Sequence, residues 1–344
     1  MKDAAFNPVL ATRQRAGFIE REHHGRVAIV DGRAAGTALV AALGDVEAVF
    51  LPRSSCKILQ ALPMVESGAA DAARLSPRLL ALSCASHQGS DAHAGMAAGW
   101  LAEMGLSEAD LECGAQTSSD DDTRKRMIRV DEAPTQLHNN CSGKHTGFLC
   151  QARHLGAPAA GYVSRDHAVQ KAVAAATAEM AGEDVERFAI DGCSAPNFAL
   201  SLHGLARAAA RIAAAETALS GARRDAAIRL REAMAAHPFE VAGEGRSCTQ
   251  LMRAGGGRLM VKTGAEGAFI AILPELGLGV ALKIDDGNTA GAECAMAGIL
   301  VALGALDAEH PGVAKWLHPV EVNRRGVICG GGAPAPAITG VRLS

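Results

Sequence analysis

The chain has 344 residues, 49% of them hydrophobic and 21% charged, with a formal net charge of −3. That balance is globular, well away from disorder, and the length is enough to bury a large core in two domains or subdomains. The near-neutral charge argues against a general polyanion binder. An aromatic content of 3%, with Tyr162 as the single tyrosine, excludes stacking platforms for single-stranded nucleic acid.

From the N-terminus, "MKDAAFNPVLATRQRAG" has no apolar leader core or cleavage site, and no apolar run in the chain is long enough to span a bilayer. A cytoplasmic protein without membrane association is expected. Nine cysteines, an odd number, argue against a disulfide framework and for mostly buried free thiols. "GFIEREHHGRVAIVDG" at 17–32 alternates apolar and polar residues around a turn, and "VEAVFLP" at 46–52 is rich in β-formers. Helical periodicity then dominates to about Arg253, with helices expected at 54–68, 90–105, 143–154, 164–181, 197–216 and 220–236. One buried strand, "ERFAID" at 186–191, interrupts them. Strands return at 258–264, 267–274 and 277–285, separated by turns containing glycine or proline. A helix at 289–305 follows, and "GVICGG" and "AITGVRLS" supply possible last strands.

This order predicts an α/β (α+β) fold. Strands from both ends of the chain form one antiparallel sheet covered by helices, with a mostly helical region inserted. The whole chain, 1–344, is read as one catalytic domain with subdomains 1–53 plus 254–344 and 54–253. Pockets favour such junctions, so the active site is expected where the first helix after the early strands meets the late strands.

The motifs follow the same geography. "PRSSCK" at 52–57 places Ser54 three residues before Lys57 at the expected start of a helix, where they share one face. The positive helix terminus disfavours a proton on the lysine, and a neutral lysine beside a hydroxyl makes serine a nucleophile. The same letters also describe an N-capping serine with a surface lysine. "KTG" at 262–264 is the late partner of S-x-x-K in serine β-lactamases and penicillin-binding proteins. A second lysine, Lys262, keeps the first from carrying charge. The N–H of Ala265 and that of Ser54 can share an oxyanion hole. The middle motif of those enzymes is absent: there is no S-D-N, and Tyr162 is followed by Val163 and Ser164. In that part of the chain stands "ALSCASHQGSDAH" at 81–93, where Ser86, followed by His87, offers a third polar group or simply a polar turn.

"HNNCSGKHTGFL" at 138–149 and "DGCSAPNF" at 191–198 hold two cysteines among polar turns. Two thiolates with a nitrogen ligand and an open water position suit zinc. The spacing is not that of a finger, and lysine ligates only after losing its proton. Two inert buried cysteines are the other reading of these residues.

Taken together, "PRSSCK", "SCASHQG", "NNCSGKHTGF", "DGCSAPNFAL" and "KTGAEG" resemble the rhizobial-type L-asparaginase II family, related in fold to serine β-lactamases and glutaminases. The resemblance implies hydrolysis of L-asparagine through two Ser–Lys tandems, Ser54 with Lys57 and Ser86 with Lys262. It implies one zinc per chain at Cys141, Lys144 and Cys193, and a homodimer. Ser54 is then the nucleophile and Lys57 its base, while Ser86 and Lys262 relay protons. His87 and Asp191 are expected in the pocket. The rival readings are a glutaminase of the same fold, a β-lactamase-like hydrolase, and a non-turnover sensor that is acylated or binds zinc.

Overall fold

The computed structural model describes residues 7–33 and 37–343. Residues 1–6, part of the stretch read as leaderless, and residue 344, the end of the expected last strand, lie outside the described residues. The chain divides into two compact units, one of residues 1–55, 200–214 and 250–344, the other of 56–199 and 215–249.

The first unit is built on an antiparallel sheet of β1 (Val9–Arg15), β2 (Phe18–Asp31), β3 (Ala38–Leu43), β4 (Met260–Thr263), β5 (Ala268–Leu273), β6 (Leu278–Ile284), β7 (Val320–Val322) and β8 (Ile328–Pro334). Their order is β7-β8-β1-β2-β6-β5-β4, with β3 also against β2. Early and late strands therefore interleave: Ala11 of β1 faces Pro334 of β8, and Ala28 of β2 faces Ala281 of β6. This is the expected sheet of N- and C-terminal strands.

The turn expected inside 17–32 lies earlier. Ala16 and Gly17, both at positive φ (48° and 85°), close a hairpin between β1 and β2. β2 runs unbroken through Gly25, where a Cβ would stand 2.3 Å from the Lys283 carbonyl. The glycine there serves close strand approach, not a turn. "VEAVFLP" contributes only Val49–Phe50, paired with Leu200–Ser201. The expected last strand is also corrected. Pro336, pre-set for a first helical turn, starts the short helix Pro336–Thr339, and β8 is the final strand.

Two helices cover this sheet. The expected helix 197–216 is shorter, Leu202–Ala213, capped by Ser201 Oγ accepting from the Gly204 N–H at 2.8 Å. Its alanine-rich face lets its backbone touch the sheet, since a Cβ on Gly279 would lie 2.0 Å from Ala210 N. The helix Thr289–Ala302 presses Gly291 against His23. Val30, the partner of Gly279, and His23 are an odd number of residues apart on β2, so the two helices lie on opposite faces. β4 and β5 are buried throughout.

The second unit is mostly helical. Lys57–Glu66 is buried at nine of ten residues and Ser142–His154 at eleven of thirteen, which makes them its central helices. Around them stand Pro77–Ser83, Asp91–Glu103, Ala168–Ala181 and Gly221–Ala236. The strand expected to be buried at 186–191 is Phe188–Ile190, with Ile190 64% exposed. It pairs only with Pro196–Phe198 in a two-stranded ladder, so one edge and one face stay in solvent. Among the described residues all nine cysteines are free, eight of them buried, and no helix is long and apolar enough to cross a membrane.

Gly279→Val tests the close packing of helix on strand. Its side chain meets backbone that cannot rotate away, so urea denaturation should show a loss of stability of at least about 1–3 kcal/mol. Gly95→Ala, in a helix with nothing within 4 Å of the added methyl, should be neutral or stabilising by about 0.5–1 kcal/mol.

Candidate functional site

Ser54 does not begin the α-helix. Arg53–Cys56 forms a 3₁₀ turn, and the α-helix starts at Lys57, with Cys56 at its N-cap and no side-chain cap. The N-capping alternative is thereby removed. Ser54 is half-buried, and its neighbour Ser55 donates to the Pro52 carbonyl from its backbone N–H (3.2 Å) and its Oγ (2.7 Å). Arg53 holds φ at +53°, a strained value for a side-chain-bearing residue.

The end of β4 clasps this turn within the first unit. A Cβ on Gly264, the glycine of KTG, would lie 2.6 Å from the Pro52 carbonyl oxygen and 3.0 Å from Ser55 N. Only glycine lets the strand approach so closely. Arg53 also pairs with Glu266 at 4.0 Å, and Glu266 is itself at φ +58°. Lys262 is 1% exposed and donates from Nζ to the Thr263 carbonyl at 2.7 Å. Ala265 is exposed at the bend after the strand.

The second unit gathers the remaining candidates. Lys57 is 1% exposed, and its Nζ donates to the carbonyl of Ala85, the residue before Ser86, and to Cys141 Sγ at 3.1 Å. Ser86 is half-buried, with its backbone N–H on the Val241 carbonyl at 2.9 Å. His87 is buried. Its Nδ1 accepts from the Gly89 N–H (3.0 Å), so its Nε2 carries the proton and donates to Ser142 Oγ (3.0 Å).

Cys141 and Cys193 share a side-chain hydrogen bond, which with the charges of Lys57 and Lys144 holds the Cys141 thiol well below the usual range despite burial. Lys144 Nζ lies 3.1 Å from Cys193 Sγ. Burial opposes the Lys144 charge, but Cys193, Cys141 and Asp191 outweigh it and keep the ammonium protonated. Asp191 is half-buried and accepts the Gly192 N–H through Oδ1 at 2.7 Å.

Further residues join this group, among them His145, which the sequence places on one side of the helix with Cys141 and Lys144. Asn140 Oδ1 accepts from Cys141 Sγ at 3.0 Å. Tyr162 OH accepts the Glu112 N–H (2.8 Å) and meets His145 Nδ1 (2.7 Å). Burial, reinforced by the charge of Lys144, pushes His145 down to about 4, so it is neutral. Asn140, Ser142 and His145 lie inside a quoted motif, and Tyr162 is the chain's one tyrosine, yet no spacing rule pairs it with His145.

Among the described residues no three His, Cys, Asp or Glu come together as a metal site. Any zinc here must accept the lysine. Cys141 and Cys193 fit in kind, being buried and hydrogen-bonded with Cys141 leaning toward the thiolate that zinc requires, and Lys144 beside them would ligate only on giving up the proton that its neighbours hold on it.

No curated protein matches the sequence. Among solved structures the chain is similar to Mglu in its native form (13% identity, TM-score 0.40), covering 78% of this chain and 58% of that one. It is also similar to a β-lactamase from Mycobacterium bovis (12%, TM-score 0.39, 78% and 89% covered) and to a putative β-lactamase from Bacteroides dorei (11%, TM-score 0.40, 76% and 84% covered). The chain thus spans less than two thirds of Mglu. The family model for L-asparaginase II matches residues 11–333, nearly the whole chain, and the protein belongs to that amidohydrolase family.

Proposed function

We propose that the chain hydrolyses the side-chain amide of L-asparagine, giving L-aspartate and ammonia through a serine acyl-enzyme. One observation supports this most strongly. The helix that follows the Ser54 turn begins with a buried lysine whose amine is held by a carbonyl and a thiol. A fully buried lysine at a helix start has no structural need to be lysine, because an apolar residue would avoid the desolvation cost.

Lys57 must first give up the proton that charges it, and Ser54 Oγ then bonds to the amide carbon while its own proton passes to that amine. The N–H groups of Ser54 and Ala265 stabilise the oxyanion. The C–N bond then breaks, and the nitrogen leaves as ammonia with a proton delivered through Ser86 and Lys262. Water adds to the ester carbon, the bond to Ser54 Oγ breaks, and the proton returns to the serine. His87 and Asp191 contribute a neutral donor and a carboxylate to hold the amino acid. Zinc on Cys141, Lys144 and Cys193 would supply positive charge that organises the pocket and holds substrate. The free cysteines suit a reducing, cytoplasmic setting.

L-Asparagine should release ammonia with a kcat/KM well above that for L-glutamine. A pocket separates these by one methylene, worth roughly 1–3 kcal/mol, so a ratio of about ten or more is expected on one preparation. Preference for glutamine would move the assignment to glutaminase, and nitrocefin turnover would favour a β-lactamase. Ammonia limited to one equivalent per chain would indicate a sensor.

Ser54→Ala should lower kcat by about 10⁴ or more, as removal of a nucleophile does. Lys57→Met should be nearly as damaging, and the double variant little worse than either, because the pair acts as a unit. Additive losses would separate the two roles.

Elemental analysis should find about one zinc per chain, falling as pH drops and the ligands protonate. The Cys141→Ala, Cys193→Ala double variant should lose it and bind substrate more weakly. Full occupancy in that variant would show that other residues hold the metal.

A further inference from the structure

The helical unit has a cleft of about 280 Å³ that the proposed chemistry does not use. It opens where the helices Asp91–Glu103 and Ser142–His154 end beside the short helix Ala69–Ala72. Lys57 and Lys144 belong to the other, N-terminal ends of the two central helices. At 1.5 Å per residue, Arg153 at the cleft stands about 14 Å from Lys144 along the helix axis. His154 Nε2 donates to the Ser67 carbonyl at 2.7 Å, which ties the C-terminal ends of the two central helices together beside the cleft.

Much of the lining is apolar: Ala72, Ala73, Met104 and the buried ring of Trp100. Cys150 adds no charge, because burial pushes its thiol up to about 11. The charges are Glu103 and Arg153, both exposed to solvent. A Cβ on Gly105 would lie 3.7 Å from Arg153 Nη1, so the guanidinium reaches the bend that follows Glu103. Yet the two do not pair, and neither side chain has a hydrogen bond or ion pair among the described residues. Other arginines of this unit do find carboxylates: Arg78 with Glu240, Arg126 with Asp91 and Arg223 with Glu66. Opposite charges that share a cleft without closing on each other leave room for a ligand that carries both signs. Two helices also turn their partly negative C-terminal ends to this place, which adds to Glu103 in favouring an ammonium.

We infer that this cleft binds a free α-amino acid with an apolar side chain. Arg153 takes the carboxylate through the parallel N–H groups of its guanidinium. Glu103 takes the ammonium, and the alanines, Met104 and Trp100 take the side chain. A plain anion or a plain amine would leave one of the two charges unanswered. Size narrows the class further. Pockets for drug-sized ligands run upward from about 300 Å³, so this one suits a single amino acid and not a peptide or a nucleotide. No serine lines the cleft, so its occupant is bound and not acylated.

The chain's two tryptophans are Trp100 and Trp316, and Trp316→Phe leaves Trp100 as the reporter at the cleft. That full-length variant is titrated with L-valine, L-leucine and L-methionine, followed by Trp100 emission and by isothermal titration calorimetry. At least one of the three should saturate a single site per chain at millimolar concentration or below. Its counterparts lacking the ammonium or the carboxylate should bind about tenfold more weakly or worse, as loss of a charged hydrogen bond does. Arg153→Met and Glu103→Gln, both at exposed positions and checked for folding by circular dichroism, should each weaken binding by the same factor. Ammonia release from L-asparagine should stay at the wild-type rate in both. No saturation by any of the three amino acids would overturn the inference. So would equal binding of a counterpart that lacks either charge, or binding that both variants leave intact. A wild type that releases no ammonia would count against the proposed function alone, since the binding readouts do not depend on it.

Discussion

Two lysine amines buried among thiols, Lys57 against Cys141 and Lys144 against Cys193, are what the helical unit is arranged around. A buried amine without a partner costs several kcal/mol, so the surroundings must answer it. Here the sulfurs do. The Cys141 thiol is driven toward thiolate by its bond to Cys193 and by the two lysines, and the thiols in turn hold Lys144 charged. Breaking any member leaves the others exposed to the desolvation cost, which is why the group behaves as one body. Its buried neighbour Cys56 moves the other way, up to about 11, because there burial outweighs the charges of Lys144 and Lys57.

The first unit obeys a different constraint, that of backbone approach. Gly264 admits the Ser54 turn, Gly279 admits the alanine helix, and Gly25 admits β6. At each place an added Cβ would stand within 2.6 Å of a backbone atom. The serine turn is thus held by main chain and by the Arg53–Glu266 pair, and its strained Arg53 is over-determined by its surroundings. Rigidity of this kind suits a nucleophile that must be aimed before substrate arrives.

Much of this was legible in the sequence where local chemistry and tertiary role agree. β4, β5 and β6 are apolar runs bounded by glycine, and the helices 91–103, 142–154 and 221–236 lie within two residues of their expected bounds. β7, "VEV", was not visible, and β1, "VLATRQR", lay in a first fifty residues read as strands but had no bounds of its own, because their strand character comes from partners across the sheet more than from their own residues. A turn was expected inside 17–32, yet β2 runs straight through Gly25, because sequence does not show that β6 passes opposite with Ile284 as the partner of Gly25. Of the site, Cys141, Lys144 and Cys193 stood out by residue type, yet Lys57's hold on Cys141 spans 84 positions and no periodicity reports it. The start of the helix at Lys57, three residues later than expected, reflects the 3₁₀ turn that Arg53 imposes.

The central claim is that Ser54, in its clasped turn before the buried Lys57, is the hydroxyl that carries the acyl group. The most direct test is rapid acid quench of the enzyme turning over L-asparagine, followed by peptide mass spectrometry. The account predicts a β-aspartyl mass increment on the peptide containing Ser54, absent from Ser54→Ala. An increment on the peptide containing Ser86, persisting in Ser54→Ala, would contradict it and reverse the two serines.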